Sequence, residues 1–321
     1  MAKKKRKGAK PKSSAKSRKS TRPLKPNKTI GILHSGSAGK SNDPSINAFL
    51  AELDDRGYKL NQNLTLDPKK PLWSDDDPKL LNKNAYTLAT TKLDLIIAAG
   101  GPPSVYAIRN AQTKARTNTN VVFTSFSQLT KPAPNMTGVD ARTSDLDPSR
   151  LMQLCDLVQK DPKWANQKTF GVLENQTRQD YKSENLQDMA DQLNIGLDRV
   201  NVTPGSKTAI INSINAAFDG WNKKQPPITV VLVAADPIFN DLRSTVLPAE
   251  KAKFAVMHQW HEFTDEGGYA SLGTYLVDAY KLAGQIAAEV LDGTDPLKIQ
   301  VQPLTNITLK TNPATAKRLG L

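Results

Sequence analysis

The chain has 321 residues, 44 Lys and Arg against 31 Asp and Glu, and a formal charge of +13; at roughly 150 residues per domain it is long enough for two buried cores. A single cysteine, Cys155, excludes an intramolecular disulfide, and no apolar run approaches the roughly 20 residues of a membrane-spanning helix. The excess charge suggests nucleic-acid binding only until it is located: residues 1–28 hold ten Lys and three Arg with no acid, which accounts for all of it and leaves the remainder neutral.

Residues 1–28 carry only small and charged side chains beside scattered Pro and a lone Leu, too little apolar surface to offset the entropy of ordering, so this tail is expected to be disordered. It lacks the apolar stretch of about 7 to 15 residues that a secretory signal requires, which predicts a cytoplasmic protein, or a periplasmic one if the start site is misassigned. The KKKRK stretch within it is similar to a nuclear-import patch. A basic arm of this composition would hold nucleic acid or an anionic surface without sequence preference; the other reading is a solvated tail that aids solubility.

From Thr29 short apolar runs alternate with amphipathic stretches, the pattern of βα units around a parallel sheet. TIGILH (29–34) is the first strand. Asp43 is expected to cap a helix with Pro44 at its first position, burying Ile46, Phe49, Leu50 and Leu53 and ending at Gly57. A short strand near 64–66, a helix starting at Asp77-Pro78, the strand DLIIAAG (94–100), a helix from about Pro103 and the strand VVFTSF (121–126) complete a first lobe. A helix around 151–158 carries Cys155 among leucines, as a small apolar residue rather than a nucleophile. A second lobe of the same pattern follows: strand TFGVLEN (169–175), a helix with Leu186, Met189, Ala190 and Leu193, strand RVNV, a helix striped by Ile210, Ile214, Phe218 and Trp221, and strand ITVVLVAAD (228–236). Strand KFAVMHQ, a long helix closed by Gly293, the strand segment IQVQPLTNITLKTN and a terminal helix finish the chain; this remainder is too small for a third domain and predicts that the chain recrosses between lobes.

The order of IGILHSG and NAFLAELDDRGY (30–58), LDLIIAAGGPPSV (93–105), VVFTS with NMTGVDA (121–141), TFGVLEN, VLVAADPIF, EGGYASLGTYLVDAYKLAGQIAAEVLDGTDP (266–296) and NITLKTNPATAKRLGL resembles the ABC-transporter substrate-binding family that includes tryptophan and other amino-acid binding proteins. The resemblance spans nearly everything after Lys28. It implies the type I periplasmic-binding-protein fold: two doubly wound parallel-sheet lobes joined by three crossovers, with residues 29–137 and 262–293 in the first lobe and 138–261 and 294–321 in the second. It further implies a small-molecule ligand clamped as the lobes close, and an ABC permease as partner if the protein is exported. One departure is that SQLTKPAPNMTG (127–138) lacks the DPV-type stretch usual after the fourth strand of relatives.

Ligands of open α/β sheets bind beyond the carboxyl ends of the strands. The residues next to those ends are Ser35 and Ser37, Gly101 and Ser104, Phe126 and Ser127 from the first lobe, and Glu174, Asn175, Asp236 and Phe239 from the second, with Tyr269 on the crossover. Ser104 and the amides opening its helix would suit a carboxylate, Asp236 or Glu174 an ammonium, and Phe126, Phe239 or Tyr269 an apolar side chain, so the expected ligand is amino-acid-like. The bland alternatives are that Ser104 and Asp236 are helix caps and Phe126 core.

Two other motifs fail. HSGSAGKS (34–41) ends like a P-loop, but His34 stands where the first glycine is needed. His258 and His261 lack metal-site spacing and are expected to be ordinary surface histidines. No Ser-His-Asp order, acid pair or glycine fingerprint names a reaction, so no catalytic residue, metal or cofactor is expected and the chain reads as a binder rather than an enzyme.

Overall fold

A computed structural model describes residues 25–39, 42–126, 133–162, 164–177, 183–241 and 254–321. Strands β1 (Lys28–His34), β2 (Leu64–Leu66), β3 (Leu72–Trp73), β4 (Leu95–Ala99), β5 (Val121–Phe123), β6 (Met136–Asp140) and β12 (Gln302–Pro303) form one sheet. Its order is β12-β6-β5-β4-β1-β2, with β3 also against β1. Strands β7 (Thr169–Glu174), β8 (Gly196–Asn201), β9 (Val230–Val233), β10 (Ala255–Trp260), β11 (Ala270–Thr274) and β13 (Thr308–Thr311) form the second, in the order β13-β11-β10-β9-β7-β8. All pairings are parallel except β11 with β13.

Every residue of β4 (LIIAA) and β9 (VVLV) is buried, as central parallel strands must be when helices cover both faces. Edge strand β8 is half-exposed. In the first lobe, α1 (Asp43–Asp55) covers one face, and α2 (Pro78–Thr90) and α3 (Pro102–Ala115) the other. The second lobe carries α4 (Asp147–Gln159), α5 (Ser183–Gln192), α6 (Lys207–Lys223), and the short α7 (Pro237–Asp241) and α8 (His261–Asp265). Helix α9 (Leu276–Leu291) returns to pack on α1, and α10 (Pro313–Leu319) ends the chain in the second lobe's core. Burying each Phe, Leu or Ile of these layers contributes about 1.5–3 kcal/mol.

The chain passes between the sheets three times: from β6 to α4, from β11 to α9, and from β12 to β13. This moves three segments relative to the division read from the sequence. Residues 270–274 pair in the second sheet, residues 302–303 pair in the first, and residues 136–140 form strand β6, which a boundary at 137/138 would cut. These short strands were misplaced because a strand's sheet is set by its partners, which the local pattern does not name.

The described residues also begin inside the segment expected to be a disordered tail. Lys28 already pairs in β1, and Lys25 is fixed by its Nζ on Asp292 at 2.6 Å, by its ring contact with Tyr58, and by its carbonyl accepting from Asn63 Nδ2. Residues 1–24, and the Lys40-Ser41 pair of the P-loop-like stretch, lie outside the described residues. Helix α1 takes Asn42, not Asp43, at its N-cap position, with no side-chain capping bond; the Asn42 Nδ2 donates instead to Ser37 O at 2.8 Å. Asp77 caps α2 as expected, accepting from Lys79 N and Leu80 N.

Candidate functional site

Strand order reverses between β1 and β4 in the first sheet and between β7 and β9 in the second, and the crevice beyond such a reversal is where open α/β sheets hold ligands. The two reversal points face each other. The β1–β4 register sets His34 beside Ala99, so the residues that follow meet: Ser35 Oγ donates to Gly100 O at 2.6 Å. After β9, Asp236 opens α7, its Oδ1 accepting from Ile238 N at 2.9 Å and its Oδ2 from Asn175 Nδ2 at 3.1 Å. Gly101, at φ +90°, sits against Pro237 so closely that a Cβ on it would lie 2.7 Å from Pro237 Cγ. Both its backbone and its neighbour therefore require glycine.

Around this contact lies a narrow cleft lined from both lobes and from the hinge. Three of the predicted residues line it, Ser35, Gly101 and Asp236. Sequence reasoning missed His34, Asn42, Thr124, Ser125, Thr143, Asn240, Gln259, Trp260 and Tyr280, which line it too. Thr124 and Ser125 could have been found by ending the third long strand earlier, since β5 stops at Phe123. Tyr280 had no local signal; it sits on the buried stripe of α9 and reaches the cleft through packing.

His34 and Tyr280 form the first-lobe floor. Gly36 N donates to His34 Nδ1 at 3.0 Å, so the neutral ring carries its proton on Nε2 and donates it to Tyr280 Oη at 3.0 Å; Gly100 N donates to the same oxygen at 3.2 Å. Complete burial against Trp73 disfavours the imidazolium and lowers the His34 pKa to about 3. Among the described lining residues, Asp236 is the single acidic side chain, and none is Lys or Arg.

The second-lobe wall is braced from behind. Arg150 and Asp147 are buried as an ion pair at 2.7 Å. Arg150 also donates to Thr143 O, in the crossover, and from Nε to Leu272 O at 2.8 Å, while Asp147 Oδ2 accepts from Ala235 N at 3.0 Å. One pair thus ties the crossover to the end of β9 and to the middle of β11.

The remaining predicted residues are not brought to the cleft. Ser104 is fully buried with its hydroxyl on Ala99 O at 2.5 Å. Its amide turns to Gly101 O, and Pro102 and Pro103 before it have no N–H, so the expected anion-binding helix terminus lacks most of its donors. Phe126 packs against Tyr106 and Phe123, Phe239 lies in the core behind β9, and Tyr269 in the core under β11. Glu174 is fully buried and paired with Arg199 at 2.8 Å. Asn175 serves Asp236, Ser37 is buried beside the cleft without lining it, and Ser127 lies outside the described residues.

His258 and His261 are not surface residues. His258 stacks on Phe263 with centroids 4.2 Å apart, and His261 shares hydrogens with Ser271 Oγ and Thr308 Oγ1 at 2.8 and 3.0 Å. Strand β10 runs to Trp260 and buries all six of its residues, His258 among them. Cys155 is buried among Leu151, Leu154 and Val158, and burial raises its thiol pKa, as suits an inert core residue. Among the described residues no group of three His, Cys, Asp or Glu could hold a metal, and no helix is long and apolar enough to cross a membrane.

The profile of the family described as ABC transporter substrate binding protein matches residues 37–321. Among solved structures, the chain is similar to a Streptococcus pneumonia protein in complex with L-Trp, with 19% identity and a TM-score of 0.73 over 92% of this chain and 95% of that one. A conserved domain protein from Vibrio cholerae gives 20% identity and a TM-score of 0.73 over 92% and 95%. A carbohydrate transporter from Acidothermus cellulolyticus in complex with myo-inositol gives 16% and 0.58 over 92% and 98%. Likeness at these identities concerns the fold. A search of curated protein sequences found no match.

Proposed function

Because the chain belongs to the ABC transporter substrate binding protein family, matched over residues 37–321, we propose that it captures a small polar organic molecule between its two lobes and delivers it to an ABC permease. Members of the family are solute-binding proteins, and nothing in the reading requires catalysis. The observation that carries it is the apposition of the two reversal points, Gly101 against Pro237, around a polar cleft that contains Asp236, Thr124 and Trp260. Solved neighbours bind L-Trp in one case and myo-inositol in another, so an amino acid is one candidate class and a polyol another.

Binding by the basic tail to nucleic acid has no support from the family, and neither does a cytoplasmic location; fractionation of the native protein decides the compartment. The binding reading is tested by a thermal-shift screen of the full chain against amino acids, polyols and small carboxylates. One or more compounds should raise the melting temperature with saturable dependence on concentration. A flat response across the whole screen would sink the reading.

A further inference from the structure

Two polar groups at the cleft have no hydrogen-bond partner among the described residues: the indole Nε1 of Trp260, 3% exposed, and the hydroxyl of Thr124, fully buried. Their placement is not accidental. Thr124 follows β5 and is locked by its own amide on Ala98 O at 3.1 Å. Trp260 ends β10 in the second sheet, yet its ring lies in the first lobe's core with Leu276, Ala279 and Tyr280. It therefore sits at the hinge, held by packing from both sides. A buried donor left unmade is a cost that folding does not recover, and such costs collect where a ligand later supplies the partner.

The chemistry of that partner follows from what surrounds it. Trp260 N–H can only donate, so the ligand must present an acceptor there. Among the described lining residues there is no Lys or Arg, His34 is neutral, and Asp236 is the one carboxyl group. A free carboxylate would thus meet the Asp236 carboxyl with no Lys or Arg among the described lining residues to offset it, and Pro102 and Pro103 remove two amides that would cradle it at the start of α3. A cation would have to share Asp236 oxygens that already accept from Ile238 N and Asn175 Nδ2, and Trp260 has only a proton to offer it. The other lining groups include Asn42, Ser125, Thr143, Asn240 and Gln259, amides and hydroxyls that match hydroxyl groups in either role.

We infer that the cleft takes an uncharged, hydroxyl-rich molecule of the polyol or sugar class, with one ligand oxygen accepting from Trp260 Nε1 and another bonded to Thr124 Oγ1. This rests on the cleft being the binding site, as proposed above. The test uses the full chain, with myo-inositol, D-ribose and D-glucose as neutral probes and L-tryptophan, L-glutamate and succinate as carboxylate probes, titrated calorimetrically on wild type, Trp260→Phe and Thr124→Val. At least one neutral probe should bind and outcompete every carboxylate. Its Kd should rise at least fivefold in each variant, while each variant still unfolds cooperatively on heating without ligand.

Each other outcome counts against a definite part. Tighter binding of a carboxylate overturns the ligand class and leaves the cleft reading standing. Neutral binding that both variants leave unchanged overturns the two residue assignments. Binding of no probe in either set overturns the ligand class and, together with a flat general screen, the cleft reading itself.

Discussion

His34 shows at the residue scale how burial becomes a pH response. Its pKa is lowered by burial from 6.5 to about 3, so protonation favours the unfolded chain. The neutral ring's contribution is complete above about pH 6.5 and is lost as pH falls toward 3, at about 1.4 kcal/mol per unit. Burial lowers the His261 pKa as well, which adds loss of the same sign. Urea midpoints measured from pH 8 to pH 4 should therefore fall more steeply in wild type than in His34→Gln; parallel curves would contradict the assignment. The Arg150–Asp147 pair is a second case. Arg150→Met leaves Asp147 buried without its cation, and the expected loss in urea unfolding is about 3–5 kcal/mol. Of these residues the sequence indicated only part of their roles. His34 was legible as the position that spoils a P-loop, but its partner Tyr280 is 246 residues away, and no local pattern links them.

Elements were more legible than residues, because periodicity is local and burial of one face drives both. The apolar stripes of α1, α6 and α9 and the runs in β4 and β9 occur where alternation predicted them. Errors gathered at element ends. Reading the third long strand through Phe126 rather than Phe123 shifted attention from Thr124 and Ser125 to Phe126 and Ser127. What an element packs on was not legible at all. Gly284, in the middle of α9, lets that helix approach α1 until a Cβ would stand 2.8 Å from Glu52 Cβ and 2.9 Å from Phe49 O. Gly284→Leu should push the helices apart and lower stability by about 2–3 kcal/mol in chemical denaturation. An unchanged midpoint would mean that the two helices are not seated as described.

At the scale of the whole molecule, three passages between two sheets make a hinge, and the cleft closes where Gly101 meets Pro237. Small-angle scattering should show a smaller radius of gyration on saturation with whichever compound the screen identifies. Gly101→Leu should weaken that compound's binding at least tenfold and abolish the compaction, because its side chain would occupy the contact and strain a positive φ. Compaction that survives the substitution would place closure elsewhere. By itself the sequence determined two α/β lobes and a basic N-terminal segment, since these follow from composition and hydrophobic period, and it put the strand ends forward as the place for a ligand. Only the tertiary structure decided which side chains enter the cleft. Strand register, the crossing of β11 and β12 between sheets, and the burial of Trp260 against a helix from the other lobe are set by partners far along the chain, and contacts at that separation leave no trace in local pattern.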